Sequence, residues 1–174
     1  MDATGNGQLA RFGGLPCRVN QQEQHFQSMS LPIRLGGLPK DLTIDREAIK
    51  AAVAVYNQQA VYTIPRQDGG VFMRVPNSND WLWMIVDLGL SDIREDLVTK
   101  AEWMGRKIAN DCVAVLCAEV AGFEHCHIVN TGPQIGIREA WRPVAQYALK
   151  REDLEIGRKF DSGFGKHEFF GHPS

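Results

Sequence analysis

Apolar residues recur at steps of three and four in two stretches of the chain. Over residues 43–60 they are Ile49, Ala52, Val53, Tyr56 and Ala60, which fall on one face of an α-helix. Asp45 precedes them as the expected N-cap. Over residues 92–120 the set is Ile93, Leu97, Ala101, Met104, Ile108, Cys112 and Val115, which predicts the longest helix of the chain. Asp92 and Glu95 have the spacing of a capping box there, and Gly122 lies just past the end.

Elsewhere the pattern is extended. Residues 29–37 alternate as a strand, and Pro32, which cannot donate to a ladder, predicts an edge position or an irregular start. Residues 69–75 and 81–88 flank the turn-forming run "PNSND" and predict a β-hairpin, its second strand buried on both sides. Residues 124–137 and 141–149 read as extended, 150–160 as a short helix and 161–174 as loop. Near the start, residues 7–14 read as a short helix with Leu9 and Phe12 on one side and Gly13-Gly14 as a stop, before a polar loop over 17–28. The order predicts an α+β fold, a mixed or antiparallel sheet with helices on one face. No internal repeat is visible.

With 174 residues, 44% of them hydrophobic, the chain can bury one real core. A net charge of −2 without a basic stripe gives no reason to expect nucleic acid or an anionic membrane as partner. No apolar run approaches the ~20 residues of a membrane span, and no signal pattern opens the chain. Cys17, Cys112, Cys117 and Cys126 form no C-x-x-C pair; Cys112 and Cys117 fit a helical apolar pattern as small buried residues. A reducing, cytoplasmic setting is the expectation.

Two stretches carry candidate chemistry. In "MDATGNGQ" Gly5 and Gly7 permit a tight turn leading into a helix, whose free N–H groups could receive an anion. In "TGPQIGIREAWRPVAQYAL" Arg138 and Arg142, read as one strand face, suit an anionic oxygen group through paired donors. The alternative is that Arg138 pairs with Glu139 or another acid and holds the fold. His125 and His127 share one side of a predicted strand, with Cys126 facing away, but nothing completes a metal site, so no metal is expected. His167 and His172 fall in a Gly/Phe-rich tail.

The segment "DATGNGQLARFGGLPC" resembles the Asp-Ala-Thr-Gly turn and short helix of FAD-dependent oxidoreductases with a two-dinucleotide-binding-type flavin domain. Residues 95–161 resemble a later part of the same family, through "QIGIREAWR", the Tyr147, Leu149 and Asp153 spacing, and "GRKFD" at 157–161. Asn6 and Gln8 replace acids of the family, and its Arg-Glu-Ser-Arg-Arg becomes Arg138-Glu139-Ala140-Trp141-Arg142. The strand–GxGxxG–helix unit and the closing flavin-binding segment of the family have no counterpart.

The resemblance implies the middle, substrate-capping portion of such an enzyme. Residues 1–17 would be a remnant of the flavin-binding domain, with Asp2, Thr4, Gly5, Asn6 and Gly7 against the cofactor. Residues 18–174 would form the substrate/cap domain, with Arg138, Glu139 and Arg142 facing a small-molecule substrate. FAD is expected only in a completed complex, supplied mainly by another chain or a missing segment; the expected partner is a flavin-binding chain, or, where nothing covers the apolar surface, self-association. The catalytic residue is left open among His125, His127 and Tyr147. The alternatives are a non-catalytic binding or interaction module, or a truncated gene product without activity of its own.

Overall fold

The structure is a computed structural model that describes residues 2–18, 27–90 and 95–160. Its elements are α1 (Gln8–Phe12), β1 (Cys17–Arg18), β2 (Met29–Gly36), α2 (Arg46–Gln59), β3 (Val71–Arg74), β4 (Trp81–Leu88), α3 (Glu95–Glu119), β5 (His127–Thr131), β6 (Arg142–Pro143) and α4 (Arg151–Glu155). A four-stranded sheet runs β3-β4-β2-β5 with every neighbour antiparallel, and β1 pairs with β6 in a separate two-stranded ladder. The fold is α+β, as the pattern predicts.

The core lies between one sheet face and the paired helices α2 and α3. Met29, Leu31, Ile33 and Leu35 alternate along β2 onto that face, and all four are fully buried. Ile49, Ala52, Val53 and Tyr56 meet them from α2, with Ala101, Ile108, Cys112 and Leu116 from α3. Asp45 caps α2 as expected, its Oδ1 accepting from the N–H groups of Glu47 and Ala48 at 3.0 and 3.1 Å. The capping box expected at Asp92 and Glu95, and the tail histidines His167 and His172, lie outside the described residues.

Two expectations change, and a third point was left open by the sequence. First, β2 is an interior strand, despite Pro32. Leu31 pairs with Val86 and Ile33 with Trp83, so two residues of β4, Met84 and Ile85, stand opposite Pro32. This bulge absorbs the missing N–H, while the Pro32 carbonyl still accepts from Gly132 N–H at 3.1 Å. The same bulge puts Ile85 and Val86, consecutive in sequence, both in the core. Second, β4 is not buried on both sides, because Met84 shares the uncovered sheet face with Val71 and Met73. Third, α1 turns its apolar side outward: Phe12 is 79% exposed and Leu9 56%, and the small Ala10 makes the inward contact instead.

Candidate functional site

The opening turn is held by its own side chains. Asp2 Oδ1 accepts from the Thr4 hydroxyl at 2.6 Å and from Thr4 N–H at 2.9 Å, and Oδ2 accepts from Ala10 N–H at 2.9 Å. The Thr4 hydroxyl in turn accepts from Gln8 N–H at 3.0 Å. These bonds, the Thr4 hydroxyl's first, hold the Asp2 carboxyl below its ordinary range. Two donors at the start of α1 are therefore taken by Asp2 and Thr4. An incoming anion does not find them free, contrary to the reading of the sequence.

The turn is also docked. Asn6 C=O accepts from Trp141 N–H at 3.2 Å, and the Arg11 guanidinium stacks on the Trp141 ring at 4.4 Å. Gly7 has φ +67, and a Cβ there would come within 2.3 Å of the Trp141 carbonyl oxygen, so only glycine allows this approach. A few residues on, β1 and β6 pair Cys17 with Pro143 and Arg18 with Arg142, and Val144 N–H donates to Pro16 C=O at 2.8 Å. The two candidate stretches, more than a hundred positions apart in the sequence, thus form one unit around Trp141.

Within that unit Glu139 is buried, 8% exposed, and divides its carboxylate between two partners. Oε2 accepts from Gln27 N–H at 2.8 Å, and Oε1 pairs with the Arg142 guanidinium. The partner of Glu139 is Arg142, not Arg138. Residues 137–141 are irregular, so the shared strand face expected for Arg138 and Arg142 does not form. Arg138 is left exposed, while Arg142 keeps a side chain 60% exposed beside its ion pair. The segment leading in is pinned to α3 by Glu102, whose Oε1 accepts from Ile135 N–H at 2.6 Å.

None of the three candidate bases stands in this unit. His125 and His127 are exposed, with Cys126 buried between them, where the chain turns into the start of β5. Tyr147 donates to Asp153 Oδ2 at 2.6 Å, and this bond raises its pKa, so the phenol keeps its proton. Arg158 also donates to Asp153, at 3.0 Å, and Tyr147 and Phe160 pack at 5.1 Å between ring centroids. The motif residues Tyr147, Asp153, Arg158 and Phe160 hold one another, in a cluster built for structure. Among the described residues no group of three or more His, Cys, Asp or Glu side chains could hold a metal.

Trp141, on which the opening turn packs, was not among the candidate residues read from the sequence. It stood out only as a departure from Arg-Glu-Ser-Arg-Arg, and its role as the dock for the turn depends on the β1–β6 pairing. Among the described residues no helix is long and apolar enough to cross a membrane. The chain matches no curated protein and no solved structure. A model of the family described as FAD dependent oxidoreductase, however, matches residues 1–169, nearly the whole length, and the chain belongs to that family.

Proposed function

We propose that the unit around Trp141 is one wall of an FAD-dependent oxidoreductase site, in which residues 1–17 face the cofactor and residues 18–174 cap the substrate. The observation that carries this reading is Gly5. Its φ is +80, and a Cβ there would meet nothing within 4 Å, whereas Gly7 two residues on is packed against Trp141. The turn therefore presents a bare, rigid backbone surface outward, of the kind a flat or phosphorylated group approaches closely.

The residues fit the cofactor as a side contact. With Gln8 N–H and Ala10 N–H committed to Thr4 and Asp2, the start of α1 is not a pyrophosphate cradle. Asp2 and Thr4 shape the turn, Gly5 and Asn6 offer the contact surface, and Gly7 seats it on Trp141. When bound, the flavin supplies the redox chemistry by accepting a hydride from substrate. The protein's part is to orient that substrate. The exposed Arg138 and the outer face of Arg142 offer N–H donors to an anionic oxygen of a small molecule, and Glu139 fixes the direction of Arg142.

In this reading the rest of the flavin site comes from another chain or from a segment outside these 174 residues. The exposed Leu9, Phe12 and Leu15 beside the turn suit such a contact. The test is the visible absorbance of the full chain, purified after co-expression with its genomic neighbours. Flavin in stoichiometric amount, bleached on adding a substrate, supports the proposal. A colourless protein that still captures a defined partner would instead favour a non-catalytic interaction module.

A further inference from the structure

Cys117 and Cys126 lie outside the Trp141 unit and play no part in it. Cys117 occupies the last turns of α3, and its Sγ donates to the Cys126 backbone oxygen at 3.2 Å. The turn between them is rigid: Phe123 N–H donates to Val120 C=O at 3.1 Å, and Cys126 N–H to Phe123 C=O at 2.9 Å. Phe123 and Leu116, each 1% exposed, pack beneath it. The two side chains are neighbours, since the Cys117 Sγ reaches the Cys126 carbonyl oxygen; burial pushes the Cys126 thiol up to about 12, and Cys117 beside it adds to the rise. Cys117 is half-buried and reachable, Cys126 is 7% exposed, and both are free thiols.

We propose that Cys117 and Cys126 are a thiol pair that closes to a reversible disulfide, pinning the end of α3 to the start of β5. The oxidant is a small-molecule disulfide such as oxidised glutathione. The Cys117 thiolate attacks one of its sulfurs, and the other half leaves as a thiolate. Cys126 then loses its proton, attacks the Cys117 sulfur and expels the second glutathione thiolate. Two cysteine thiols become one disulfide, one glutathione disulfide becomes two thiols, and the protons pass to the departing thiolates. The order of attack follows from access: the buried Cys126, whose thiol resists ionisation, resolves rather than initiates.

The test treats the full chain with oxidised glutathione, blocks the remaining thiols and maps the peptides by mass. The expected product joins the Cys117 and Cys126 peptides with loss of two hydrogens, and a reductant reverses it. Its thermal midpoint rises by roughly 5 °C over the reduced protein, as closing a short loop in the unfolded chain requires. Cys112→Ser is expected to leave the bridge intact and Cys117→Ser to abolish it. A glutathione adduct that stays on Cys117 with Cys126 still free would overturn the proposal. So would a bridge to Cys112 or Cys17, or a Cys117–Cys126 bridge with no rise in midpoint.

Discussion

Gly5 and Gly7 have nearly the same left-handed backbone but opposite surroundings, and that difference separates strain from packing. At Gly5 an alanine meets open space and pays only for its φ, about 1 kcal/mol. At Gly7 the same methyl adds a clash with the Trp141 carbonyl, and the cost rises to about 2–4 kcal/mol. Urea unfolding of Gly5→Ala and Gly7→Ala should rank them in that order; equal midpoints would mean that the turn is not docked on Trp141. Asp2 gives a second test at this scale. Its pKa is lower in the folded chain than the ordinary 3.8, so its bonds favour folding at neutral pH and are lost as pH falls through the folded value. The advantage of the native protein over Asp2→Asn should therefore be full above pH 3.8 and shrink below it, as read from unfolding midpoints across that range.

At the scale of elements, what the sequence makes legible is what local rules decide. The 3.6-residue stepping and Asp45 sufficed for α2, and Asp45→Ala should cost about 1 kcal/mol of stability by denaturant titration. The alternation of β2 was equally readable, but its place inside the sheet was not, because a bulge on a different strand, β4, accommodates Pro32. That Leu9 and Phe12 face outward was not legible for a similar reason. A five-residue helix has no face of its own to bury, and its orientation is set by Asn6, Gly7 and Arg11 against Trp141, far along the chain. The acid and the arginine of the second stretch were both found, yet which arginine Glu139 holds depends on where the strand stops. Trp141→Ala removes the ring on which Arg11 stacks but keeps the backbone carbonyl and Cβ behind Gly7. It should raise amide exchange across residues 2–11 by one or two orders of magnitude, about 1.4–2.8 kcal/mol of local opening, and leave α2 unchanged. Unaltered exchange in α1 would mean that the β1–β6 ladder alone holds it.

At the scale of the molecule, the sheet and its two helices hold the core, and the Trp141 unit is joined to them through Glu102, which holds Ile135, through the paired backbone bonds between Ser30 and Gly136, and through Glu139, which holds Gln27. Family membership places this chain in a family of FAD-dependent oxidoreductases, and the unit is where we propose that its own residues meet that cofactor. The most direct measurement is hydrogen exchange of the full chain, with whatever partner co-purifies, in the presence and absence of saturating FAD. If the turn and its dock are one wall of the flavin site, residues 2–11 and 139–144 gain protection together while the amides of α2 do not respond. Protection confined to some other region, or none anywhere on this chain while flavin is bound to the complex, would contradict it.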